Sequence, residues 1–113
     1  MATPSTVELE RAWQARCQIG QFSPAILGLG TIRVMGRSGD ATVQFPRIAS
    51  LDALGELEPD EQYAVQAAQA IITQAQAERR AVFAVVPGQT PERVTAFHPD
   101  VESLMIVARI AGG

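Results

Sequence analysis

The chain has 113 residues and a mass of 12.1 kDa, a length for one core, because domains cluster near ~100–150 residues and two half-size cores would each be marginal. With 47% apolar and 19% charged residues it can bury a core, which excludes a wholly disordered chain. A net charge of −3 and a pI of 5.0, with the basic residues scattered, argue against a nucleic-acid surface.

The longest apolar runs are about six residues, far short of the ~18–20 that cross a bilayer. The first stretch carries acids and no apolar segment of leader type, so a cytoplasmic protein with no membrane contact is expected. All nine basic residues are arginines, and lysine and asparagine are missing. That excludes lysine Schiff-base chemistry and a P-loop lysine, and most simply reflects the codon bias of a GC-rich, bacterial genome. Cys17 is the single cysteine and His98 the single histidine, too few for an internal disulfide or a Cys/His metal cluster. No cofactor is expected.

In chain order, Ser5 with Glu8 forms a capping-box pattern, and Leu9, Ala12, Trp13 and Cys17 recur at helical spacing, so residues 5–19 read as an amphipathic helix that Gly20 ends. Residues 22–30, with Pro24, Gly28 and Gly30, read as a loop packed on the body. Thr31–Met35 and Ala41–Phe45 alternate, turning Ile32, Val34, Val43 and Phe45 to one side, with turn chemistry at 36–40 between them: a β-hairpin.

Residues 50–57 suit a short helical turn. Pro59 followed by Asp60 and Glu61 opens a long helix, expected to reach Arg80 with Ala64, Ala67, Ala68, Ile71, Ile72 and Ala75 as its apolar stripe. Three strands follow at 81–86, 93–97 and 104–110. The first and last are continuously apolar, which calls for cover on both faces. One long helix covers one face; the other is left to the N-terminal helix with Trp13, to the 22–30 loop, or to another protein chain. The sequence thus describes a single α+β domain over 1–113 in a two-layer arrangement. Its order is α-β-β-α-β-β-β, with an N-terminal helix and loop over 1–30 and a ββαβββ body over 31–113.

No catalytic constellation stands out. Cys17 lies on the apolar stripe of the first helix, as a buried structural thiol does, and lacks a nearby base and orienting group. His98 sits in a turn between Phe97 and Pro99. The His98-Pro99-Asp100 tripeptide also occurs in J-domain co-chaperones, but there it joins helices, whereas strands flank it here. Gly28-Leu29-Gly30 lacks the preceding strand and third glycine of a dinucleotide fingerprint. Asp52, Glu56, Glu58, Asp60 and Glu61 form the one acidic cluster, read as a solvated helix start or, functionally, a docking patch for an arginine-rich partner.

The most informative feature is the end: an apolar strand runs into Arg109-Ile110-Ala111-Gly112-Gly113. Two glycines without side chains allow an extended tail to thread a narrow channel and deliver a carboxylate to another protein's active site; the plain alternative is a frayed end. With its upstream hairpin and long helix, the segment Ala81–Gly113 resembles the ubiquitin-like (β-grasp) sulfur carriers, typified by the molybdopterin synthase small subunit and the thiamine-biosynthesis carrier. That resemblance implies a non-catalytic carrier whose Gly113 carboxylate is adenylated by an ATP-using activating enzyme and then converted to a thiocarboxylate or conjugated. Here a 30-residue extension precedes the body.

A second resemblance spans more of the chain: the roadblock and longin-like proteins, on a profilin-like sheet, also run α-β-β-α-β-β-β. It implies a homodimeric scaffold or regulator of a small GTPase. A β-grasp sheet makes its last strand parallel to its first at the centre, whereas a profilin-like sheet ends in an antiparallel meander.

Overall fold

The structure, a computed structural model, describes residues 4–36 and 39–108. Helix α1 (Thr6–Ile19) leads into strands β1 (Gly28–Gly36) and β2 (Gly39–Arg47), a 3₁₀ turn over Leu51–Glu56, helix α2 (Pro59–Ala77), and strands β3 (Val82–Ala84), β4 (Glu92–Arg93) and β5 (Ser103–Ile106). The protein is α+β, built on one open, mixed sheet of five strands in the order β2-β1-β5-β3-β4. β1 pairs antiparallel with β2 and parallel with β5, and β3 lies antiparallel to both β5 and β4. No described helix is long and apolar enough to cross a membrane.

Local chemistry accounts for the helix ends. The Ser5 hydroxyl accepts from the Glu8 N–H, and Gly20 closes α1 at φ 76°, in the left-handed region that glycine enters at little cost. Pro59 stands at the start of α2, where no N–H is needed. That helix lays Ala68, Ile72 and Ala75 on the sheet against Ile32, Phe45, Val82, Leu104 and Ile106. Alanine dominates its contact stripe and lets it lie close. Each large apolar side chain removed from water here contributes about 1.5–3 kcal/mol, so this layer supplies most of the driving force. A smaller cluster of Ile48, Leu57 and Val65, joined by Ala25, Ile26 and Phe97, seals one end of the sheet.

Several boundaries differ from those read in the sequence. The first strand starts at Gly28, not Thr31: the expected loop residues Gly28–Gly30 pair with Phe45–Arg47, and the Phe45 ring lies where a Cβ of Gly30 would stand. The glycines there permit close approach and do not mark a loop. α2 stops at Ala77, three residues before Arg80, because Arg79 turns left-handed (φ 59°). β4 shrinks to two residues, since Phe97, expected in that strand, leaves it to meet Phe45 edge-on at 5.5 Å. β5 ends at Ile106, and positions 109–110 of the expected last strand lie outside the described residues.

The doubly apolar strands have another explanation than two-sided cover. α1 lies beside α2 at the outer edge of β2, where the Trp13 indole N–H donates to the Gln44 carbonyl at 3.2 Å. Neither described α-helix packs on the second face of the sheet, where Phe83 and Met105 stand part-buried.

Candidate interaction surface

Cross-strand register defines what the uncovered face presents. Thr42 pairs with Arg33, Arg33 with Met105, Met105 with Phe83, and Phe83 with Arg93. Because directly paired residues project to the same side, these form one row across all five strands: an apolar centre of Met105 and Phe83 with an arginine on each flank. Arg33 is anchored by Asp40, whose Oδ2 accepts from its Nε at 2.9 Å and its terminal nitrogen at 2.6 Å. Arg93 is exposed. A half-buried thioether and phenyl ring between guanidinium groups suit contact with an apolar partner surface rimmed by acids.

The acidic cluster divides. Asp52, Glu56 and Glu58 are exposed, as a docking patch requires. Asp60 and Glu61 are buried, at 5% and 0% exposure, which corrects the expectation of a solvated helix start. Asp60 takes a two-pronged bond from Arg16, Nε to Oδ2 at 2.7 Å and a terminal nitrogen to Oδ1 at 3.0 Å. Glu61 accepts from the Ser23 hydroxyl at 2.5 Å, the Ser23 N–H at 3.0 Å and the Glu58 N–H at 2.9 Å, with Arg16 3.5 Å away.

Burial by itself would raise the Glu61 pKa; the bonds from Ser23 and Glu58 and the Arg16 charge outweigh it and hold the carboxyl below its usual range. The hydrogen bond to Asp60 in turn raises the Arg16 pKa. These carboxylates bind the N-terminal helix and the loop at Ser23 to the start of α2. Sequence reasoning missed this node because Arg16 and Ser23 lie 44 and 38 residues from their acidic partners.

Cys17, expected to be buried, is only part-buried. It lines a cleft of about 640 Å³ between α1, β2 and α2, whose walls include Trp13, Val43, Tyr63, Ala67 and Ile71. Desolvation, helped by the Asp60 charge, raises its pKa and keeps it a thiol. His98 is exposed in its turn and is not among the residues lining that cleft. The tail Arg109, Ile110, Ala111, Gly112 and Gly113 lies outside the described residues. Its root does not: the Val107 N–H donates to the Ala81 carbonyl at 3.0 Å. Compared with family models, curated proteins and solved structures, the chain matches none.

Proposed function

We propose that this protein is a carrier of the ubiquitin-like, β-grasp type: a protein without chemistry of its own, docking on an ATP-using enzyme that activates the Gly113 carboxylate. The observation that carries the reading is the parallel pairing of β5 with β1 in the middle of the sheet, Thr31 to Ser103 through Val34 to Ile106. That pairing supports a β-grasp arrangement over the profilin-like one, whose last strands form an antiparallel meander. It also puts β5, which the glycine-ended segment follows in sequence, in the middle of the sheet. On this reading the Met105–Phe83 row is the docking surface and Arg109 to Gly113 the part the enzyme takes up. Of the acidic cluster, Asp52, Glu56 and Glu58 remain available to an arginine-rich partner.

The experiment removes Gly113 and incubates the shortened protein with ATP and the adenylating enzyme of its source organism. Loss of adenylate formation is expected; undiminished adenylate in the shortened protein refutes the carrier. Intact-mass measurement of protein purified from that organism reads the same proposal directly, as exchange of sulfur for oxygen at the carboxylate.

The dimeric-scaffold reading retains one specific support, the uncovered apolar row itself, which a second copy could cover. It requires a dimer in sedimentation that is insensitive to loss of Gly113, and a monomer removes it.

A further inference from the structure

β2 is an outer strand of the sheet, and its register with β1 fixes which of its backbone groups lie on the free side. In an antiparallel pair the N–H and C=O of one residue point the same way, and the direction alternates along the strand. Thr31, opposite Gln44, sends its N–H to the Glu102 carbonyl on the β5 side. Gln44 therefore points away from β1, where its carbonyl meets the Trp13 indole, and Thr42, two residues earlier, points the same way. The N–H groups of Thr42 and Gln44 and the Thr42 carbonyl are thus directed out of the sheet.

Beside that edge lies a cleft. The volume of about 640 Å³ between α1, β2 and α2 touches Thr42, Val43 and Gln44 on the strand. Its helical walls repeat at the spacing of one face on each helix, Glu10, Trp13 and Cys17 from α1 and Tyr63, Ala67 and Ile71 from α2. Proteins blunt long sheet edges, and β2 is blunted at one end only: Trp13 flanks Gln44, and Pro46 brings no N–H. The open stretch is the one the cleft accompanies.

The shape and charge of the cleft select its occupant. A second copy's β2 would bring its own α1 into the same gap, because α1 leans on that edge through Trp13. Pairing of sheet with sheet is blocked, whereas a single extended segment is not. Along such a segment side chains alternate, so those level with Val43 enter the cleft toward Ala67 and Ile71. Among the described residues Glu10 is the one charged group in the lining, and no basic residue lines it. Arg16 is held by Asp60. The cleft therefore favours a basic segment over an acidic one.

We propose that the free edge of β2 and the cleft beside it form a binding site for an extended, basic peptide segment of a partner protein, which adds a strand at Thr42 and Gln44 and seats an apolar side chain between α1 and α2. This site is separate from the open face of the sheet and does not rest on the carrier reading.

Trp13 is the sole tryptophan and lines the cleft, so its fluorescence follows occupancy. The probe is the capped peptide acetyl-Arg-Thr-Val-Thr-Arg-amide, whose valine and arginines fall on the cleft side while its threonine N–H groups face β2. Binding with a Kd below ~1 mM is expected. In saturating peptide, amide exchange at Thr42 and Gln44, measured by NMR, slows roughly tenfold or more. The same peptide N-methylated at both threonines, and one with glutamates for its arginines, each bind roughly tenfold more weakly or worse. Thr42→Pro abolishes binding and retains the fold, since the lost N–H takes no part in pairing with β1. If that variant does not fold, the N-methylated peptide decides the pairing, and Glu10→Gln, at an exposed position, reads the charge as a weakening of about threefold. No binding, unchanged exchange at Thr42 and Gln44 in the complex, or equal binding of the N-methylated or the acidic peptide overturns the proposal.

Discussion

Replacing Glu61 with glutamine alters one charge and no shape, and its effect can be worked out from three hydrogen bonds. Glutamine keeps a single acceptor oxygen. Placed to serve the Ser23 hydroxyl and the Glu58 N–H, it turns its own amide nitrogen toward the Ser23 N–H, donor against donor. A buried donor left unpaired costs about 1–3 kcal/mol, and weakening the charge-assisted bonds adds ~1 kcal/mol. A loss of about 2–4 kcal/mol is expected from a total of ~5–15 kcal/mol.

The pH dependence has a definite sign. The Glu61 carboxyl titrates lower in the folded protein than in the unfolded chain, so between the two values the unfolded state binds the proton first. Its stabilisation is complete above the unfolded value near ~4.3 and is lost as pH falls toward the folded value. Urea unfolding of both proteins at neutral pH and near pH ~3.5 reads this, because the difference between them narrows in acid while all other carboxylates cancel. A cost below ~0.5 kcal/mol at neutral pH, or a difference that widens in acid, refutes the argument.

The remaining predictions address the core and the open face. Gly30→Ala collides with the Phe45 ring and should cost about 1–3 kcal/mol by overpacking; thermal unfolding of Gly30→Ala with Phe45→Leu, which clears the space, should show less than additive loss. Met105→Arg places a third arginine in the row beside Arg33. It should change stability by no more than about 1 kcal/mol, as part-buried surface positions do, while, on the carrier reading, raising KM for adenylation tenfold or more. If sedimentation instead shows a wild-type dimer that this variant dissociates, the open face serves a second copy.

Local chemistry was legible in the sequence and long-range chemistry was not. Ser5, Gly20 and Pro59 mark helix ends by bonds within a few residues, and the alternation of Ile32, Val43 and Phe45 locates the hairpin and its buried side. The continuous apolar run at 81–86 reads as two-sided burial, yet only Val82 is fully buried, while Phe83 is part-buried and Val86 exposed, since the surface of a folded protein still carries much apolar area. The acids at the start of α2 look solvated, since dipole complementarity explains them without any partner. Their partners come from α1 and the loop after it, which only the fold brings near. Arg80 likewise suits the negative end of a helix, but its guanidinium spans two strands instead. Of the candidate site, the sequence supplied the terminal segment, and the structure adds its root at Val107 and the row facing away from α2.

The strand in the middle of the sheet is also the last of the five described strands in chain order. β5 lies between β1 and β3, so until the ribosome has made it the hairpin and β3 have no common neighbour and α2 has an incomplete layer to rest on. Cooperative folding must await β5, in keeping with the slowness of pairings between distant segments. A nonsense or frameshift change that removes the residues after Glu102 should therefore yield, not a shortened folded protein, but a polypeptide with two unsealed β-edges fit for quality-control proteases.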